Sequence, residues 1–165
     1  MAKMIYKKEL ENYALRIAKL GEESARVCGR TVYEMAKVVA DKVRENIDAM
    51  HYISDAEGLK RYASGEKALL TYSEKKGLQD GFGVSSLQND GGYMNVKLGF
   101  DGYNSVETRK YPNGQPNVMI ARAIESGSSV RDKNPFIRRA VNAAKGECLK
   151  TAEKTIVEEI SKIMK

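Results

Sequence analysis

Carboxylates are plentiful in this sequence, but histidine and cysteine, which nucleophilic catalysis and zinc binding most often use, are few and lie far apart. His51 is the only histidine, and Cys28 and Cys148 have no partner at metal-ligand spacing. Nucleophilic catalysis of the Ser-His or Cys-His type would have to use His51, which no surrounding motif supports. The glycine-rich pieces GFG (81–83) and DGGY (90–93) lack the Lys-Ser/Thr pair and the following helix of a phosphate loop. The sequence therefore predicts no catalytic centre, no metal site and no cofactor.

Glu125 is the carboxylate with the most informative surroundings. It precedes Gly127, which is typical of a helix end, and an Asn-Pro step at 134–135, which is typical of the next helix start, with Asn134 as its side-chain cap. Its carboxylate could accept hydrogen bonds from the first N–H groups of that helix, or pair with Arg138 or Arg139. An acid–base role in a small enzyme that uses carboxylates is an alternative. We expect Glu125 to hold the joint between two helices.

The composition predicts one globular domain, over residues 1–165. Hydrophobic residues make up 42% and charged residues 30% of the chain, which suffices for a sizeable core. There is no apolar run of membrane-spanning length and no signal-peptide core, so we expect a cytoplasmic location. Cys28 and Cys148 fall on apolar helix faces and are expected to be buried free thiols.

A basic nucleic-acid-binding module is the alternative that the charge suggests. The net charge is +6, which permits contact with nucleic acid or an acidic partner. Lys and Arg are nevertheless interspersed with Glu and Asp along the whole chain, and this pattern favours an ordinary solvated surface.

Two long amphipathic helices are predicted at the ends of the chain. Residues 4–49 show apolar side chains at helical intervals, with a break or bend near Gly21, and a second such helix follows Pro135. The predicted apolar stripes are Leu10, Tyr13, Ile17, Leu20, Cys28, Val32, Met35, Val39, Val43 and Ile47 in the first helix, and Val141, Ala144, Cys148, Ala152, Ile156, Ile160 and Ile163 in the second. A helix over residues 22–49 would be about 42 Å long. So small a domain cannot cover it fully, so part of its stripe should meet another chain.

The middle of the chain predicts a small antiparallel sheet. Alternating apolar residues on both sides of the NDGG turn (89–92) indicate a hairpin between about residues 82 and 100, and residues 105–111 could add a strand. Residues 50–78 are interpreted as an irregular connector with a possible short helix around 66–75. A short helix over 119–124 ends before Gly127. The predicted fold class is α+β, with the long N-terminal and C-terminal helices packed on one face of the sheet.

The segment ARAIESGSSVRDKNPFIRRAVNAAK (121–145) resembles a signature of the head–tail joining and tail-completion proteins of long-tailed, lambda-like phages and prophages. That family typically shows an Ile-Glu-x-Gly element, a short variable loop, and Pro-Phe-aliphatic-Arg-x-Ala at the start of a C-terminal helix. The matching residues are Ile124, Glu125, Gly127, Pro135, Phe136, Ile137, Arg138 and Ala140. Arg139 departs from the pattern, since many relatives carry a second proline there.

The resemblance implies a virion structural protein without enzymatic activity or cofactor. Such subunits form rings, usually of six copies, between the connector and the tail-tube proteins, near the DNA that passes through the channel. The implied location is the virion, with the host cytoplasm during assembly, and no membrane. We expect the interface to use Phe136 and Ile137 as apolar anchors, Glu125 and Arg138 as a polar lock, and the hairpin tip Asp90, Gly91 and Gly92 as a contact loop.

Overall fold

The computed structural model describes residues 2–108 and 110–165, and its first and last helices are its longest elements. Helix α1 spans Ala2–Asp48 and helix α5 spans Phe136–Met164. Between them lie α2 (Asp55–Ala63), α3 (Tyr72–Gly81), β1 (Phe82–Val84), β2 (Gln88–Asp90), β3 (Tyr93–Asn95), β4 (Leu98–Phe100) and α4 (Asn117–Ser126). Because α1 and α5 pack together beside a small antiparallel sheet, the predicted α+β class is confirmed.

Helix α1 is much longer than the helix that covers it. With 47 residues against 29, α1 is about 70 Å long and α5 about 44 Å. The two helices are antiparallel: Asn46 Nδ2 donates to the carbonyl of Phe136 at 2.7 Å, and Arg16 Nη1 donates to the carbonyl of Met164 at 2.7 Å. Helix α5 therefore begins beside Asn46 and ends beside Arg16, and the first residues of α1 extend past it.

Two predictions for α1 are wrong. The helix continues through Gly21 without a break, because a lone glycine in a helix costs only about 1 kcal/mol relative to alanine. Cys28 is exposed rather than buried. The covered line of α1 passes through its neighbours Val27 and Thr31, and one residue further along a helix turns the side chain about 100° away from that line.

The buried face of α5 also differs from the predicted stripe. Val141 and Ile156 are exposed, whereas Thr155 and Glu159 are buried. The buried residues of α5 are Phe136, Ala140, Ala144, Cys148, Thr155, Glu159 and Ile163. Glu159 can lie on this face because Arg26 of α1 donates a hydrogen bond to it at 2.7 Å. Apolar spacing alone does not reveal a buried carboxylate that has such a partner.

The predicted hairpin is confirmed, as two short ladders joined end to end. Strand β1 pairs antiparallel with β4, β2 pairs antiparallel with β3, and Ser85 N donates to Lys97 O at 2.8 Å between them. Gly91 and Gly92 have positive φ, as the NDGG turn requires. The described residues of 105–111, all but Arg109, have irregular backbone and form no strand.

The connector after α1 is more ordered than predicted, because it contains α2 and α3. Ser54 caps α2, and Thr71 and Glu74 form a reciprocal capping box at the start of α3. The core lies where α1, α3, α4 and α5 meet. Its buried members are Val43, Ile47, Met50, Leu70, Leu78, Ile120, Ala121, Ile124, Phe136 and Ala140.

Candidate assembly interface

Glu125 ties the end of α4 to the start of α5. Its Oε2 accepts a hydrogen bond from Ile137 N at 2.8 Å, and its Oε1 accepts one from Arg138 N at 3.1 Å. Two structural roles were predicted for Glu125, namely capping of backbone N–H groups and an ion pair with Arg138 or Arg139, and the structure shows the first of them. Asn134 does not cap α5, so that prediction is wrong: its side chain accepts from Arg139, and Pro135 immediately precedes the helix. The carboxylate of Glu125 does what a capping side chain would otherwise do.

The rest of the joint is also internal to the chain. Gly127 ends α4 with φ of 76°, as predicted, and Asn134 N donates to Ile124 O at 2.7 Å across the loop. Phe136 is 0% exposed, and its ring lies 6.1 Å from that of Phe100 at the base of the hairpin. A fully buried ring offers no surface to a partner, so the expected anchor role of Phe136 does not fit its position.

The other expected interface residues lie at the surface or near it. Ile137 is half-buried against the core, and Arg138 is exposed. Asp90, Gly91 and Gly92 are exposed at the hairpin tip. For these residues the interface role stays a prediction.

A buried ion pair that the sequence did not reveal fixes the loop between α4 and α5. Arg131 Nη2 donates to both carboxylate oxygens of Glu74, at 2.7 and 2.9 Å, and both side chains are about nine-tenths buried. Glu74 also accepts from Thr71 N at 3.0 Å as part of the capping box of α3. The TYSE motif (71–74) could have suggested that capping box, but no local pattern identifies Arg131 as the partner.

Neither of two cavities in the described surface gathers a catalytic set. The larger of the two, of about 320 Å³, is lined by residues that include Leu70, Ile124, His51 and Arg131. The smaller, of about 270 Å³, lies between α3 and the loop before α4. In residues 2–108 and 110–165 no three His, Cys, Asp or Glu side chains cluster closely enough to hold a metal ion.

The most unusual surface is the N-terminal part of α1, around and beyond the end of α5, which we call the N-terminal extension (residues 8–20). Residues 8–19 are all exposed. Leu10 is 70% exposed, Tyr13 57% and Ile17 55%, although their spacing is that of a helix contact face. Large apolar side chains in a row on one exposed face are typical of an interaction site.

A second exposed apolar surface lies on α5, which we call the outer stripe (Leu149, Ile156 and Val157). Leu149 is 64% exposed and Val157 63%, and Ile156 lies two turns after Leu149. The adjoining face of α5, with Cys148 and Thr155, packs on α1. Helix α5 is therefore apolar on two faces, of which only one is covered by this chain.

Charged residues hold α5 at the point where the extension begins. The buried carboxylate of Glu159 accepts from Lys162 at 2.6 Å and from Arg26 at 2.7 Å. Hydrogen bonds from Lys162 and then Arg26 lower the pKa of Glu159, and outweigh the opposite effect of burial. The last turns of α5 are thus held against α1 by an ionic cluster.

Comparison of the chain with protein-family models, with curated proteins and with solved structures found no match. No helix in the part of the chain that the structure describes is long and apolar enough to cross a membrane.

Proposed function

We propose that this chain is a structural subunit of a phage virion, a head–tail joining or tail-completion protein that assembles into a ring between the connector and the tail tube. The observation that carries the proposal is the N-terminal extension, an apolar helical surface that this chain leaves uncovered. A subunit whose role is assembly needs such a surface, because its burial supplies most of the free energy of association.

The sequence motif at 121–145 supports the proposal independently of the extension. Each of its distinctive residues has a local structural reason: Glu125 caps α5, Gly127 adopts positive φ, and Phe136 fills the core. The resemblance to joining and tail-completion proteins therefore concerns a group of residues that act together to build one corner of the subunit.

Deletion of the gene from the phage or prophage that carries it tests the proposal. We expect DNA-filled heads and separate tails in electron micrographs of the lysate, no infectious particles, and rescue by a plasmid copy. Genes for portal, capsid and tail-tube proteins are expected next to this gene. Normal virions from the deletion strain, or a gene remote from any virion gene, would contradict the proposal.

The alternative, a basic nucleic-acid-binding module, gains little support from the charge distribution. Arg26 and Arg30 both lie within ion-pair distance of Glu159, and Lys42, Arg44 and several other cations pair with neighbouring carboxylates. We expect at most weak duplex binding that falls steeply with salt concentration. Tight binding at 200 mM salt would favour the alternative.

A further inference from the structure

The apolar spacing on the face of α1 that packs against α5 continues into the N-terminal extension. Its apolar residues Leu10, Tyr13, Ile17 and Leu20 follow one another at intervals of three, four and three residues, and Ser24, Val27 and Thr31 extend the same series. Val27 and Thr31 are buried, and Arg26 beside them bonds to Glu159 of α5. This line along α1 is covered at Val27 and Thr31 and half-buried at Leu20, near the end of α5, and it is bare from Ile17 to Leu10; Ser24, within the line, is exposed. A seam with this spacing fits another helix.

The outer stripe offers such a helix. Leu149 and Ile156 are seven residues apart, as are Leu10 and Ile17 of the extension, so two side chains on each helix can interdigitate over two turns. The charges between them do not oppose contact: the extension carries Lys8, Arg16 and Lys19 against Glu9 and Glu11, and the segment 149–158 carries two Lys and two Glu. Neither surface has a block of like charge that would repel the other.

We infer that the N-terminal extension of one copy packs lengthwise on the outer stripe of α5 in the next copy of this chain. The inference deepens the proposed function and rests on it for the closure of the ring. Contact between two unlike surfaces repeats from copy to copy and gives a ring where the rotation closes, whereas pairing of two extensions would stop at a dimer and leave the outer stripe bare. The unlike contact is the one that covers both surfaces with a single type of interface.

The area involved indicates that a single contact is weak. Burial of the exposed parts of Leu10, Tyr13, Ile17 and the three outer-stripe residues removes on the order of 500 Å² of apolar surface from water. A stable specific interface buries more than about 1,000 Å² in total. In a closed ring every subunit makes this contact twice, so rings are expected to form cooperatively at high protein concentration while dilute protein is monomeric.

Two double variants test the contact. Leu10→Glu with Ile17→Glu changes the extension, Leu149→Glu with Val157→Glu changes the outer stripe, and Leu59→Glu in α2 is the control, because Leu59 is equally exposed but lies on neither surface. The full chain and each variant are compared by sedimentation velocity over a wide concentration range, with far-UV circular dichroism to verify folding. We expect each double variant to remain monomeric, with association weakened at least about 30-fold, and the control to assemble like the wild type.

A mixture of the two double variants is the decisive sample. One variant keeps an intact outer stripe and the other an intact extension, so the mixture can form exactly one good contact and should give dimers but no rings. Pairing between two extensions predicts instead that the outer-stripe variant dimerises by itself and that mixing adds nothing, and this result would overturn the inference. So would wild-type protein that stays monomeric at every concentration, or double variants that assemble normally.

Hydrogen exchange gives a second readout on the wild-type chain. A helix without a covering partner opens readily, so amides of residues 8–20 should exchange quickly in the monomer and at least about tenfold more slowly in the assembly. Unchanged exchange in assembled protein would overturn the inference. Failure of the proposed function can be distinguished from failure of the proposed contact. Normal virions from the deletion strain would refute the function alone. Complementation of that strain by the extension variant would refute the contact alone.

Discussion

Replacement of Glu125 by alanine should destabilise the whole fold, although Glu125 is not part of the core. Its carboxylate accepts the N–H groups of Ile137 and Arg138, the first turn of a 29-residue helix that provides much of the core. Alanine leaves both donors without a protein partner. Glutamine retains one acceptor oxygen but loses the charge, so it should cause a smaller loss.

The magnitude follows from the two contributions that alanine removes. Loss of a side-chain cap costs about 0.5–2 kcal/mol, and loss of a negative charge at a helix N-terminus costs about 0.3–1 kcal/mol. Ile137 is half-buried, so water replaces the lost acceptor only in part. We therefore expect Glu125→Ala to lower the free energy of unfolding by about 1.5–2.5 kcal/mol and Glu125→Gln by about half as much. For a chain of this size that corresponds to a fall in Tm of roughly 3–10 °C.

Urea denaturation followed by circular dichroism measures the effect, at protein concentrations low enough to keep the chain monomeric. The matched control is Glu153→Ala, which removes an exposed carboxylate from the middle of the same helix and should change the free energy of unfolding by less than about 0.5 kcal/mol. An equal m-value with a lower midpoint is expected for Glu125→Ala. A midpoint indistinguishable from that of Glu153→Ala would refute the capping role.

Three further predictions concern other parts of the fold. Gly77→Ala should destabilise by about 1–2 kcal/mol in urea denaturation, because a Cβ there would collide with the side chain of Asn117, and wild-type stability would contradict this packing. Cys28 should react with a thiol reagent at least about tenfold faster than Cys148, because burial raises the pKa of the Cys148 thiol and shields it; equal rates would contradict the assignment. The folded-state pKa of Glu159 is lowered, so its charge stabilises the fold above its unfolded pKa, near 4.3, and this stabilisation is lost as the pH falls through the folded-state pKa. The free energy of unfolding of Glu159→Gln should therefore fall less between pH 5 and pH 3 than that of the wild type. An identical fall in the two proteins would contradict this.

The features that sequence reasoning predicted correctly are those that neighbouring residues determine. The NDGG turn forces a hairpin because Gly91 and Gly92 must adopt positive φ. The cap from Glu125 is nearly as local, since one short loop separates the carboxylate from the N–H groups that it accepts. In both cases the sequence contains the donor, the acceptor and the geometry within about a dozen residues.

The features that sequence reasoning did not predict depend on residues far apart in the chain. Val141 and Ile156 have the spacing of a buried face, but α5 turns Thr155 and Glu159 toward α1 because Arg26, 133 residues away, bonds to that carboxylate. When a helix is apolar on two faces, its sequence alone does not identify which of the two faces packs against the rest of the same chain. Phe136 was expected at an interface and lies in the core for a related reason: a core contact and a subunit contact require the same kind of side chain.

The corner and the proposed interface are connected through the length of α1 that remains bare. Glu125 fixes the first turn of α5, Asn46 Nδ2 holds Phe136 in that turn beside α1, and the last turn of α5 then lies beside Arg16. Each residue of slippage would move the end of α5 by about 1.5 Å along α1 and cover or expose more of the extension. Under the proposed contact, the geometry of the joint therefore determines how much helix one subunit presents to the next, although the joint itself touches no partner.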